Sequence, residues 1–427
     1  MKVNVEEISV VKKKVNIEIP EDQVQKEIDS FYAELKQKAK IKGFRPGKVP
    51  REILERYFKD YAKGEVLQRL IQDSYPKALS EATLSPVSQP VFDPQDLEIG
   101  KPFRYSAVVE IKPDTKVDGY LGLNLEGKKE EVTDEEVQGR LGNLQNLHAQ
   151  LKTATESRAV RSGDYVILDY EASKDGRPVE EGKGIDVPVE VGGGRFIPGI
   201  EEKLIGMKVD DATDIEVSFP EDYGYKKWAG KALTFHVKIK EMKEKILPAL
   251  DDEFAKDLGD YESLEALKTK LRQDIGKEKE RGLDRQLKDQ IVDQLLKTNP
   301  IEIPSGLVEE QTHALVSDTK ARLASQGMAL KDLDVTEEKL HGDYGEMAQK
   351  QVRTFLILEK IAAQEGIAVS DEEVEGRLKE ISERGQQKFD AVKRYYEKNG
   401  LIPEVKGGIL TEKTLSFLLE KASVKYL

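Results

Sequence analysis

Polar and apolar residues alternate over residues 1–19, with Val3, Val5, Val11, Val15, Ile17 and Ile19 in the apolar register, which predicts one or two strands. Pro20 interrupts the alternation. From Glu21 onward Val24, Ile28, Phe31 and Leu35 take up helical spacing, so a helix is expected toward Lys40. Residues 42–50 read Lys-Gly-Phe-Arg-Pro-Gly-Lys-Val-Pro, and two glycines with two prolines exclude a helix there. Helices are expected over about 51–60 and 64–82, and a strand over 103–111 beside the early ones.

Thr133-Asp134-Glu135-Glu136 forms a capping box that opens a helix expected to reach about Lys152. A β-rich block covers 158–243, with strands predicted at 165–171, 187–191, 212–217 and 233–240. Lys174-Asp175-Gly176-Arg177-Pro178 and Gly192-Gly193-Gly194 mark its turns. From Asp251 the pattern is helical and highly charged. Leu264, Leu267, Leu271 and Ile275 form one apolar stripe, and Leu283, Leu287, Ile291 and Leu295 another. Asn299-Pro300 and Ile303-Pro304 separate that helix from one carrying Val308, Leu315, Val316 and Leu323. A further helix is expected over about 345–365, and Ser370 with Glu373 caps the next.

Charge narrows the functional classes. With 68 Lys+Arg against 81 Asp+Glu the net charge is −13, so the whole molecule is no general nucleic-acid binder and DNA is not an expected partner. The absence of cysteine excludes disulfides and thiolate chemistry. No apolar run reaches the ~20 residues that span a bilayer, and no secretory signal is visible, so a cytoplasmic protein without a membrane partner is expected. His148, His236, His313 and His341 show no metal-ligand spacing, and Gly192–Gly194 lacks the Gly-Lys-Ser/Thr of a phosphate loop. No metal, cofactor or nucleotide is expected.

One segment opposes the global charge. Within residues 36–63 ten lysines and arginines face three acids, flanking a rigid loop that presents Phe44 between Gly43 and Arg45. Such a loop suits a surface that combines protein with phosphate backbone. The run Gly43-Phe44-Arg45-Pro46-Gly47-Lys48-Val49-Pro50 resembles the signature of the bacterial trigger factors, and the order of the segments resembles that family over the full length. Asn299-Pro300-Ile301-Glu302-Ile303-Pro304 also resembles the join between two of its C-terminal helices. The resemblance implies docking beside the ribosomal exit tunnel, on a ribosomal protein and nearby rRNA. That role falls on Phe44, Arg45 and Pro46 with Lys48, while Gly43 and Gly47 shape the loop.

The β-rich block is similar to an FKBP-type prolyl isomerase. Gly163-Asp164, the run Gly192 to Ile200 (family pattern G-x-G-x-x-I-P-G), Phe219-Pro220-Glu221-Asp222-Tyr223 and Phe235 carry that likeness. It implies a proline pocket lined by Tyr170, Phe196, Ile197, Ile200, Tyr223 and Phe235, with the Ile197 N–H as carbonyl holder. Val179-Glu180 stand where the family usually has Phe-Asp, and Val187 where it has another aromatic. The slot is therefore less aromatic, Glu180 is the longer carboxylate, and a weak isomerase is compatible with both.

The expected fold is α+β, a three-domain elongated chaperone. Its parts are a ribosome-binding α/β domain (1–110), a joining linker and helix (111–157), an inserted FKBP-like domain (158–243) and an all-α client-binding body with arms (244–427). The implied function is an ATP-independent, ribosome-associated chaperone that holds nascent and unfolded polypeptides and isomerises X–Pro bonds; a homodimer off the ribosome is compatible with it. The rivals are a helical adaptor with an inactive FKBP-like domain and a free prolyl isomerase with substrate-recruiting domains.

Overall fold

A computed structural model describes the whole chain except Gly43, Pro46, Thr115, residues 155–157, Arg195, Asp222, Gly224, Lys226 and Asp334, together with the side chains of Glu180 and Glu181. The first elements are β1 (Lys2–Glu7), β2 (Lys12–Ile19), α1 (Glu21–Lys38), α2 (Arg51–Ala82), β3 (Val91–Pro94), β4 (Phe103–Glu110) and β5 (Asn124–Gly127). There follow α3 (Asp134–Leu147), β6 (Gln150–Thr153), β7 (Tyr165–Lys174), β8 (Arg177–Glu190), α4 (Ile200–Leu204), β9 (Ala212–Ser218) and β10 (Ala232–Ile246). The last are α5 (Asp252–Leu258), α6 (Leu264–Thr298), α7 (Ser305–Ser325), α8 (Glu337–Glu365), α9 (Asp371–Arg384), α10 (Phe389–Lys398), α11 (Ile402–Lys421) and β11 (Ser423–Tyr426). The fold is α+β. Two compact units result, residues 1–128 with 283–427, and residues 129–282.

In the first unit an antiparallel sheet runs in the order β1-β2-β4-β3. Its alternation is the one written in the sequence: Val15, Ile17 and Ile19 are buried, and Val15 lies opposite Ala107 in register. α1 and α2 cover that face with Val24, Ile28, Phe31, Leu54, Val66 and Leu70. The helical part packs Leu287, Ile291 and Leu295 of α6 against Ile357, Leu358 and Ile361 of α8 and Leu418 of α11. β11 closes it by pairing in parallel with β5, Val424 opposite Leu125.

Glu110, at the end of β4, joins the sheet to the helices. It is 8% exposed, and accepts from Ser305 Oγ at 2.6 Å and from Gly306 N at 2.7 Å, so a carboxylate sits on the first turn of α7. Lys12 Nζ approaches it at 3.4 Å. The packing leaves no room for a side chain at 306, where a Cβ would stand 2.3 Å from Ser88 Cβ.

In the second unit a five-stranded sheet follows the path β6-β10-β7-β8, with β9 also on β10. The β7–β8 hairpin turns at Asp175 and Gly176, both with positive φ (50° and 76°), the two-residue geometry that follows the twist of the strands. A smaller core brings together Leu141 of α3, Phe254 of α5 and Leu267 of α6.

Local pattern misplaced several boundaries. The two helices expected at 51–60 and 64–82 are one helical run, Arg51–Ala82, broken only at Phe58 (φ −123°, ψ 19°); Gly64 stays helical. α3 stops at Leu147 instead of continuing to Lys152, because His148 leaves helical geometry and residues 150–153 pair with Lys243–Ile246. α8 starts at Glu337, capped by Thr336, well before its apolar periodicity becomes visible. β3, β5, β6, β11 and α4 have no counterpart in the sequence pattern, and α10 and α11 fall in the stretch expected to be helical without separate bounds.

Burial pulls the Glu110 pKa upward, but the hydrogen bonds from Ser305, Gly306 N and Lys12 outweigh it and hold it below the ordinary 4.5. A depressed carboxylate contributes fully above its unfolded value and loses that contribution as pH falls through the folded one. Glu110→Ala strips the acceptor from Ser305 Oγ, Gly306 N, Ser88 Oγ and Lys12 Nζ, and is expected to cost about 1–3 kcal/mol at pH 7. Urea unfolding checks this, and the gap to wild type is expected to narrow by about pH 3; a gap that is the same in acid would contradict it.

Candidate functional site

Phe235 lies on β10, the strand that pairs with both β7 and β9, and has no solvent exposure. Three aromatic contacts meet on its ring. Tyr170 of β7 stands at 6.0 Å, Phe219 after β9 at 6.2 Å and Trp228 at 5.6 Å, centroid to centroid. Phe196 extends the cluster edge-on to Tyr170 at 5.6 Å, and Tyr223 extends it through Phe219 at 4.6 Å. Tyr170, Phe196 and Tyr223 are half-buried, around a Phe235 that is wholly buried. Val179 and Val187 of β8 pack against the same cluster.

Tyr170 can lie against β8 because its register partner is Gly184. A Cβ at that position would stand 2.3 Å from Tyr170 Cε1. The other wall depends on a carboxylate. Glu201, 7% exposed at the start of α4, accepts from Gly194 N at 2.8 Å and Phe196 N at 2.9 Å. It fixes the loop before α4, and with it the Phe196 ring. Among the described residues no acceptor takes the next backbone donor, Ile197 N–H. Arg158 ties the unit's entry together: its guanidinium makes a two-pronged pair with Asp164 (2.7 and 2.8 Å) and bonds Glu244 at 2.7 Å. That pair holds the Asp164 carboxyl below its usual range, against the pull of burial.

The structure thus gathers Tyr170, Phe196, Tyr223 and Phe235 directly or through one intervening ring. Ile197 is 7% exposed under the loop, and Ile200 is wholly buried as the first residue of α4. Ile200 supports the wall from the core and offers no open surface. The Glu180 side chain, like Arg195 and Asp222 of the quoted motifs, lies outside the described residues. Phe219, Trp228, Gly184 and Glu201 were not singled out as pocket residues from the sequence. Phe219 carries a signal as the first residue of the Phe-Pro-Glu-Asp-Tyr run, and Trp228 follows five residues beyond its end; the glycine and the glutamate carry none. Among the described residues no group of three or more potential ligands could hold a metal ion, and no helix is long and apolar enough to cross a membrane.

The second candidate surface is the loop after α1. Val49, with no exposure, anchors it in the core of the first unit, and Gly47 N donates to Lys36 O at 3.0 Å. Gly47 has φ +81°, a backbone that suits glycine. Phe44 is 39% exposed, and Arg45 and Lys48 are exposed beside it. Arg51 is neutralised by Asp29 (2.5 Å) and Glu55 (2.6 Å), and Lys63 by Asp96 (2.9 Å). Lys42, Arg45 and Lys48 have no ion-pair partner among the described residues. Gly43 and Pro46 lie outside those residues.

Three family profiles match the chain. One described as bacterial trigger factor protein covers residues 1–144, its C-terminal counterpart covers 263–420, and FKBP-type peptidyl-prolyl cis-trans isomerase covers 156–240. A trigger factor from Geotalea daltonii is 39% identical over 99% of this chain and 98% of its own length. One from Geobacter metallireducens is 40% identical over 98% of this chain and 97% of its own length. A solved trigger factor chaperone structure aligns over 98% of this chain and 99% of its own with a TM-score of 0.53 at 22% identity, a likeness of fold.

Proposed function

The chain belongs to the bacterial trigger factor family, ribosome-associated chaperones with an FKBP-type peptidyl-prolyl isomerase domain, and on that premise we propose which of its residues carry each activity. The proposed isomerase slot is formed by Tyr170, Phe196, Tyr223 and Phe235, with Ile197 supplying a backbone donor. The observation that carries it is the ring cluster on Phe235 with its half-buried Tyr170, Phe196 and Tyr223, together with the Ile197 N–H, which has no acceptor among the described residues. Residues 158–243 are the proposed isomerase domain, 1–110 the ribosome-docking domain, and 244–427 with 111–157 the client-holding body.

The slot needs no acid, base or nucleophile. Rotation about an X–Pro bond faces a barrier of ~18–20 kcal/mol that comes from amide resonance. Water stabilises the planar, charge-separated amide more than the twisted one, so a proline ring held among Tyr170, Phe196 and Tyr223 loses that ground-state advantage. The Ile197 N–H holds a carbonyl oxygen while the other side of the amide turns. This is binding complementary to the twisted state.

Docking is proposed for Phe44, Arg45, Pro46 and Lys48 on a large-subunit surface that combines a ribosomal protein with rRNA. Lys42, Arg45 and Lys48 supply a salt-sensitive share through displaced counterions. Phe44 supplies an apolar share that salt leaves alone, on the order of 1–3 kcal/mol if it becomes well buried.

Two measurements test these assignments. Phe196→Ala with Tyr223→Ala is expected to lower catalysed isomerisation of a short X–Pro peptide at least about tenfold, some 1.4 kcal/mol of transition-state binding. A folded double variant with unchanged rate would move the slot elsewhere. Phe44→Ala, Arg45→Ala and Pro46→Ala together are expected to abolish co-sedimentation with ribosomes and leave peptide isomerisation intact; binding at the wild-type level would remove the loop from the interface.

A further inference from the structure

The chain has one tryptophan, and the slot as assigned leaves it without a role. Trp228 is 8% exposed, in the turn that leads into β10. That turn is folded back by its own backbone: Trp228 N donates to Tyr225 O at 2.9 Å, Lys231 N to Trp228 O at 3.1 Å and Gly230 N to Pro220 O at 3.1 Å. These bonds set the indole edge-on to Phe235 at 5.6 Å, with Phe219 at 5.4 Å and Tyr225 at 5.1 Å. Rings surround it, and rings offer poor acceptors.

Its Nε1 is buried and has no hydrogen-bond partner among the described residues. An indole N–H can only donate, and a buried one normally finds an acceptor. Tyr75 Oη and Arg353 Nε share that condition, but neither belongs to the aromatic cluster of the β-rich unit. The unsatisfied donor that does belong to it packs on Phe235, the ring that also carries Tyr170.

We propose that the Trp228 N–H is a second donor of the isomerase slot, completed by the isomerising amide of a bound X–Pro segment. The inference rests on the slot assigned above. Its chemistry follows from the resonance that makes the barrier. A planar amide keeps the nitrogen lone pair in conjugation and offers only its carbonyl oxygen. As the bond twists, conjugation is lost, the lone pair localises on the prolyl nitrogen, and a second acceptor appears. A donor fixed by packed rings, away from water, pays no reorganisation to meet it and is worth more there than in solvent. The Ile197 N–H, from the loop before α4, and the Trp228 N–H, from the turn before β10, then hold the amide from two segments of the unit. No covalent bond forms or breaks.

A single tryptophan makes the test direct. In 15N-labelled full-length protein one indole Nε1–H resonance reports on Trp228, and the Ile197 backbone amide reports on slot occupancy. Titrated with the tetrapeptide Ala-Leu-Pro-Phe until the Ile197 shift levels off, the indole resonance is expected to move downfield and its exchange with solvent to slow at least about threefold. Trp228→Phe is expected to lower kcat/KM for the same peptide about tenfold. An indole resonance unmoved at that plateau, or a folded Trp228→Phe protein with the wild-type rate, overturns the proposal; if that variant does not fold, the wild-type titration decides alone. The Phe196→Ala, Tyr223→Ala protein separates the two levels. If it loses activity while Trp228→Phe keeps it, the slot stands and the indole has no part in it. If it keeps activity and Ile197 does not respond to peptide, the slot assignment fails and this proposal with it.

Discussion

Phe235 is the side chain around which the β-rich unit assembles. It sits without solvent exposure on the strand that bonds both β7 and β9, and its ring receives Tyr170 from one neighbour, Phe219 from beyond the other and Trp228 from the turn between. Aromatic rings prefer edge-on or tilted contact, and Phe219, Trp228 and Phe235 pack this way in the core. The ones left half-open are Tyr170, Phe196 and Tyr223. The partly open apolar surface is made of these three rings, packed on Phe235 directly or through one intervening ring. The reaction proposed for it asks for little more, because resonance and hydration set the barrier to X–Pro rotation.

Polar chemistry in both units is spent on position. Glu201 holds the Phe196 loop by two backbone N–H groups, and Arg158 holds the entry of the domain through Asp164 and Glu244. Glu110 does the same for the first turn of α7. The basic loop is the exception. Arg51 and Lys63 are ion-paired, yet among the described residues Lys42, Arg45 and Lys48 have no acid partner beside an exposed phenylalanine, on a chain of net charge −13. A molecule so acidic approaches a phosphate-rich surface favourably only through such a patch.

What the sequence made legible was what local chemistry determines. Alternation located β2 and β4, Thr133 and Ser370 announced their helices with capping boxes, and Asp175-Gly176 announced a hairpin. Family motifs pointed to Tyr170, Phe196, Tyr223 and Phe235. Long-range pairing was not legible. Residues 150–153 look like the end of a helix until Lys243–Ile246 supply their hydrogen bonds, and β5 and β11 are too short to read alone and exist only as a pair. Gly184 and Glu201 were silent for the same reason. One matters for the atom it lacks opposite Tyr170, the other for two N–H groups several residues upstream.

The central claim is that isomerisation runs on an apolar slot with fixed N–H donors and no titrating catalyst. Tyr170 and Tyr223 enter the proposed set as ring surface, not as proton donors or acceptors. The measurement that tests this most directly is the pH dependence of kcat/KM for a short X–Pro peptide, with the uncatalysed rate subtracted. The account predicts a profile flat within about twofold from about pH 5.5 to 8.5. A bell or a sigmoid changing about tenfold across that range would reveal an essential acid or base and contradict it.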